Sequence, residues 1–302
     1  MVHNSADEDR TNVGTTKISA PLSLFARLLK PPPLVTVLRL SGVVGRIGPA
    51  RAGMGLSDLD PSIEKAFRPR DLAAVALVVN SPGGAAAQSS LIARRVRARA
   101  DAKGVPMLAF CEDVAASGGY WLATAADEIY ADPASIVGSI GVMGGGFGFV
   151  GLLEKLGVER RLHTAGKHKA MLDPFKPEKR DDVRHLDKLQ KDIHQEFCDW
   201  VRLRRGARLV GNDEDLFNGA FWTGRMARDL GLIDGLGEMH TVLQDRYGED
   251  VRIRPVNSRQ PWLLRLFKFA ATDNHAVDAA YGHASAVLAT IEDRLMWSRF
   301  GF

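Results

Sequence analysis

Apolar runs and amphipathic stretches alternate along most of this chain. Residues 35–40 are apolar and β-branched, and 74–79 read Ala-Val-Ala-Leu-Val-Val without a polar position. An uninterrupted apolar run of that length suits a strand covered on both faces of a parallel sheet. Between them, residues 58–67 have a helical pattern, and 85–102 form an alanine- and arginine-rich helix. The alternation then repeats. Strands are predicted at 106–111, 128–131, 139–143 and 158–163, and helices at 117–126 and 150–156. Residues 181–204 predict a long helix with Val183, Leu186, Leu189, Ile193, Phe197, Trp200 and Val201 on one face, stopped by Gly206. Thr223 is placed to cap a helix that ends at Gly231. Strands separated by helices predict an α/β fold with parallel strands and right-handed crossovers.

The two ends differ from this pattern. Residues 1–20 are polar, predicting a disordered tail, and Pro31-Pro32-Pro33 forms a stiff lead-in. From about Val256 the character changes again, and a helical stretch is expected at 277–297. The division that follows is a tail at 1–34, a main domain at 35–255 and an amphipathic helical extension at 256–302. Within 260–270, Trp262, Leu266 and Phe269 fall on one helical face, with Leu263 and Phe267 beside them and Arg265 and Lys268 opposite. That pattern fits an interfacial helix on an anionic membrane, and equally a face packed on the main domain or a neighbouring subunit.

Composition narrows the classes. The chain has 302 residues, 45% apolar and 25% charged, the balance of a soluble globular protein. A formal charge of +4 without a basic run interleaved with aromatics does not predict nucleic-acid binding. The N-terminus lacks the apolar core of a signal peptide, and no run reaches the roughly 18 apolar residues of a membrane span. A cytoplasmic protein is expected, or one held peripherally at the inner membrane. Cys111 and Cys198 lie in apolar stretches and are expected as free buried thiols. With no CxxC or Cys/His cluster, neither a metal nor a cofactor is expected.

Three segments can carry chemistry. Asn80-Ser81-Pro82-Gly83-Gly84 closes a buried strand, at the end of a parallel sheet where ligands bind. Its glycines are either a plain strand-to-helix turn or a source of backbone N–H groups for an oxyanion. Ser117, in Ala115-Ala116-Ser117-Gly118-Gly119-Tyr120-Trp121, is either a helix cap or an exposed nucleophile at a helix start. Lys169, in Gly166-Lys167-His168-Lys169, is either a solvated charge or, if desolvated and neutral, the base for that serine. His163 and His168 read as surface residues, Asp173-Pro174-Phe175-Lys176-Pro177 as a rigid loop, and Arg94, Arg95, Arg97 and Arg99 as a solvated helix face or an oligomer contact.

Taken in order, these segments together with Asp127-Glu128-Ile129-Tyr130-Ala131, Gly138-Ser139-Ile140-Gly141-Val142 and Leu230-Gly231-Leu232-Ile233-Asp234 resemble the bacterial signal peptide peptidase A family. The resemblance runs from about Val35 to Arg254. It implies a serine–lysine peptidase on the ClpP/crotonase-like fold, a parallel-sheet spiral with covering helices, here followed by the helical extension. It implies Ser117 as nucleophile and Lys169 as general base, with Lys167 second. Gly83 and Gly118 would supply the oxyanion hole. Gly84, Gly119, Ser139, Ile140 and Gly141 would line the peptide groove. It further implies a ring-like homo-oligomer in which serine and lysine can come from neighbouring subunits. Many members begin with a membrane anchor and longer ones are tandem duplications; neither feature is read here. The competing readings are a crotonase-type acyl-CoA enzyme and a non-catalytic oligomeric scaffold.

Overall fold

The computed structural model describes residues 31–45, 53–256 and 294–301. The tail expected at 1–20 and the amphipathic face expected at 260–270 lie outside them, as does most of the helix expected at 277–297. The strands are β1 (Leu34–Ser41), β2 (Leu72–Ser81), β3 (Met107–Ala116), β4 (Glu128–Ala131), β5 (Ile136–Gly138), β6 (Phe221–Thr223), β7 (Gly235–Leu236) and β8 (Arg252–Pro255). They form one sheet in the order β6-β5-β3-β2-β1-β8, with β4 also on β3 and β7 on β4. Every pairing is parallel except β5 with β6. The expected α/β architecture with a parallel sheet is therefore present.

Both faces of the sheet are covered, as the apolar run in β2 requires. Alternate residues of each strand point to opposite sides. Leu38, Leu40, Leu77, Val79 and Cys111 join the larger core. That core lies under helices α1 (Leu56–Phe67), α2 (Ala86–Lys103) and α3 (Gly118–Ala123). Val35, Val37, Ala76, Val78 and Phe110 face the other way, onto Leu243 of a C-terminal helix. β3 is shared along its length: Leu108–Cys111 pair with β4, and Val114–Ala116 pair with β5. This split sets the C-terminal end of β3, where Ser117 begins, beside β5 rather than β4.

The remaining helices are α4 (Val150–Leu156), α5 (Arg180–Arg205), α6 (Asp213–Leu216), α7 (Gly224–Asp229) and α8 (Met239–Tyr247). Thr223 caps α7 as expected, its hydroxyl accepting from Met226 N–H at 3.4 Å. Residues 294–298 are helical. None of the described helices is long and apolar enough to cross a membrane.

Three expectations change. The strand placed at 139–143 ends before it starts: β5 stops at Gly138, because Gly138 (φ +110°) and Ser139 (φ +53°) turn the chain out of the sheet. No strand forms at 158–163; this stretch finds no ladder partner, and Val158 and Leu162 are exposed. The apolar stripe of α5 is buried only in its second half, at Phe197, Trp200 and Val201, while Leu189 and Ile193 stay 46% and 39% exposed. Residues 143–193, the arm, are thus mostly exposed. Phe149 stacks on Phe175 at 5.4 Å and Arg160 lies over the Phe175 ring, so the arm has packing of its own.

Candidate active site

Ser117 stands between the end of β3 and the start of α3, with φ +52° and ψ −121°. These are the dihedrals of the first central position of a type II′ turn, which glycine normally occupies. A serine held there costs about 1–3 kcal/mol, strain that gathers at functional positions. The turn is fixed from both sides. Ser117 N–H donates to Gly138 O at 2.8 Å, and Trp121 N–H donates to Ser117 O at 3.0 Å. The result is a sharp strand-to-helix corner that leaves the half-buried serine facing open space.

Its neighbour is the turn Pro82-Gly83-Gly84. Gly83 (φ +102°) and Gly84 (φ +144°) both lie in the left-handed region. A Cβ on Gly83 would fall 2.7 Å from Ser117 Cβ and 2.8 Å from Gly118 N, so the two turns touch. The N–H groups divide unequally. Gly83 N–H donates to the buried Ser81 Oγ at 3.2 Å. The N–H groups of Gly84 and Gly118 have no acceptor among the described residues. Of the two expected oxyanion donors, Gly118 is therefore free in this structure, Gly83 is engaged, and Gly84 is the free N–H of that turn.

Two cavities meet at Ser117. The larger, about 550 Å³, also has Ser139, Gly141, Lys191, His194 and Asn218 in its wall. The smaller, about 310 Å³, is more apolar, walled by Pro82, Trp121, Val142, Ile193 and Phe197. Trp121 and Phe197 stack at 4.4 Å, which ties α3 to the inner half of α5. Gly84, Ser139 and Gly141 thus fall in the cleft as the motif implies. Gly119 and Ile140 do not. Gly119 is pressed against Ser81, where a Cβ would come within 2.4 Å of the carbonyl oxygen. The Ile140 side chain is wholly buried in the core, and its carbonyl lies 3.2 Å from His194 Nε2.

A buried polar network anchors the corner from behind. Tyr120 donates to Leu232 O at 2.7 Å, and burial pushes its hydroxyl pKa up, so it remains a donor. Arg205, 2% exposed, binds Asp234 at 2.6 Å and Gly231 O at 2.8 and 2.9 Å. Asp234 also accepts from Ile129 N–H. The Leu230–Asp234 motif therefore holds the end of α5, β4 and α3 in one frame, a supporting role invisible in the spacing alone.

The structure does not bring Lys169 to Ser117. Lys169 is exposed in the arm, within a turn in which its N–H donates to Gly166 O at 3.2 Å, and it lines neither cavity. The lysine in the wall of Ser117's own cavity is Lys191, which the sequence reading did not single out. No group of His, Cys, Asp and Glu among the described residues is arranged to hold a metal ion.

The profile of Peptidase family S49 matches residues 99–250, which contain Ser117, the arm and the anchoring network. The chain belongs to this peptidase family. Relatives include a protein named Na(+)/H(+) antiporter NhaA from Brucella abortus, 45% identical over 271 residues, covering 88% of this chain and 37% of that protein. Serine protease SPPA, chloroplastic, from Arabidopsis thaliana is 33% identical over 69% of this chain and 31% of its own length. Protease 4 of Salmonella typhi is 31% identical over 60% of this chain and 27% of its own. The chain thus spans well under half the length of these relatives.

Proposed function

We propose that this S49 chain is a serine endopeptidase that cleaves small or unfolded polypeptides, signal-peptide remnants among them. The observation that carries the reading is Ser117: a serine at strained dihedrals, on a strand-to-helix corner, beside two free N–H groups and open to a cleft. Ser117 Oγ attacks the peptide carbonyl as a base takes its proton. The carbonyl oxygen becomes an oxyanion held by the N–H groups of Gly118 and Gly84, each contributing about 3 kcal/mol. The amine leaves with the proton, and water then hydrolyses the acyl-serine.

The base in this reading is Lys169 of a neighbouring subunit. Two features support it: Lys169 lies away from its own Ser117, and the arm that carries it exposes Phe147, Leu152 and Leu156 at 72%, 52% and 65%. Covering those side chains by a second copy would also desolvate the lysine, which favours the neutral base. The presence of Lys191 in the cleft favours a second reading, in which the base comes from the same chain. The antiporter name belongs to the Brucella protein; the described helices of this chain include none suited to crossing a membrane.

A fluorophosphonate probe tests the nucleophile. It should label the wild type at Ser117, and Ser117→Ala should neither label nor hydrolyse peptide while keeping its circular dichroism spectrum. Near wild-type turnover by Ser117→Ala ends the proposal.

A further inference from the structure

Residues 294–301 lie outside the segment matched by the family profile, yet they reach the cleft. Their apolar side chains fix them there. Trp297 and Phe300 pack against Val114, Ala116 and Ile136, and Ala116 is the residue before Ser117. Phe300 is 8% exposed and meets Phe221 edge-to-face at 5.1 Å. Met296 packs on Val43. Between these anchors stands Arg299, which lines both cavities that meet at Ser117.

Arg299 has the properties of a recognition group. Its guanidinium lies 5.7 Å from the centre of the Phe300 ring, which restricts its direction. Among the described residues it also has a weak contact to Met143 Sδ at 4.0 Å. It forms no ion pair with a carboxylate among the described residues, unlike Arg95, Arg97, Arg99, Arg202 and Arg205. Asp187 shares the larger cavity without bridging to it, and Lys191 adds a second cation there. An unpaired guanidinium at the meeting point of two substrate cavities is matched by a carboxylate, which it can bind through two parallel hydrogen bonds.

We infer that Arg299 is a specificity-determining residue that receives a carboxylate of the peptide bound across Ser117. The inference rests on the cleft being a peptide-binding cleft, as proposed above. The carboxylate comes either from an acidic side chain near the scissile bond or from the free C-terminus of a short peptide. Residues 294–301 are then a wall of the substrate site, and the apolar packing of Trp297 and Phe300 serves to hold one charge in place.

The test separates this from the peptidase reading by measuring binding without turnover. Fluorescein-labelled hexapeptides of alanine and leucine are titrated against the full-length Ser117→Ala protein by anisotropy. One arm compares a free C-terminal acid with its amide, and the other compares Glu with Gln at each internal position. At least one acid should bind about ten-fold tighter than its neutral partner, the scale of one charge-assisted hydrogen bond. Which arm shows the preference identifies the source of the carboxylate. Adding Arg299→Gln should bring the acid-to-neutral ratio to about one, and Arg299→Lys should keep part of it. Arg299→Gln should still bind the neutral peptide as tightly as before, which a general loss of folding would abolish. Absence of any acid preference, absence of peptide binding, or a preference that survives Arg299→Gln overturns the inference. If the preference is found but the wild type hydrolyses none of the peptides, the peptidase reading fails and Arg299 remains a peptide-carboxylate receptor.

Discussion

At the scale of single residues, Ser117 trades stability for position. Its φ of +52° is a conformation that glycine adopts freely and that a Cβ makes costly. Ser117→Gly should therefore be more stable than Ser117→Ala by about 1 kcal/mol, read by urea denaturation, while both variants are inactive. Equal stability would mean that the corner is unstrained. The lysines separate by the same kind of comparison. With Lys169 as base, Lys169→Ala and Lys169→Arg are both inactive, since arginine stays charged, whereas Lys167→Ala and Lys191→Ala keep turnover. Loss of activity confined to Lys191→Ala would move the base into the same chain. The thiols should be silent. Burial pushes the Cys111 thiol up to about 12 and raises that of Cys198, so neither should react with a disulfide reagent at mildly alkaline pH until denaturant is added.

At the scale of elements, the corner depends on what fixes α3, α5 and β4 behind it. Arg205 is buried with Asp234 as its charge partner, and its removal leaves Asp234 with only the more exposed Arg208 and takes two guanidinium donors from Gly231 O. Arg205→Ala should cost about 3–5 kcal/mol, measured by chemical denaturation. A loss below about 1 kcal/mol would show that water replaces the guanidinium there. A more exposed pair joins α8 to β4. The hydrogen bond from Arg246, then that from Tyr130, holds the Glu128 carboxyl below the ordinary glutamate range. Its contribution is present above the ordinary glutamate pKa of about 4.3 and is lost as pH falls through the lowered folded value. Being partly exposed, the pair is worth about 0.5–1 kcal/mol. Glu128→Gln should therefore remove that much stability at neutral pH and little in acid.

At the scale of the molecule, the arm is the unpartnered part. Residues 143–193 display apolar side chains that the core does not cover, and the outer half of α5 continues that surface. With the homo-oligomer proposed above, sedimentation should report a species larger than the monomer, and Phe147→Asp with Leu156→Asp should reduce it to the monomer without altering the circular dichroism spectrum. Mixed oligomers of inactive Ser117→Ala and inactive Lys169→Ala should regain activity, because some interfaces then hold one intact serine beside one intact lysine. No recovery in verified mixed oligomers places both groups of the dyad in one chain.

The alternation of strands and helices from β1 to β4 was legible in the chain, because burial on two faces demands apolar runs such as 74–79 and a parallel sheet demands helices between them, whereas the short strands β5 to β8 were not read from it. Ser117 and the Pro82-Gly83-Gly84 turn stood out from their own residues, since strained or touching backbone restricts the residues allowed there, while the segment at Ser139 was reached only through the family resemblance. The short strands failed at 139–143 and 158–163, where apolar character alone does not say whether a ladder partner exists. The stripe on α5 showed which face of the helix is apolar, but not that half of it lacks an intramolecular partner. Only the tertiary structure decided which N–H of the glycine turn is free, that Arg205 and Asp234 brace the corner from distant positions, that Lys169 stands apart from Ser117, and that Arg299 lines its cleft. Local sequence carries the conformations a residue tolerates and the faces it must bury. Which distant groups share a cavity depends on how the chain closes on itself, and that is a property of the packed molecule.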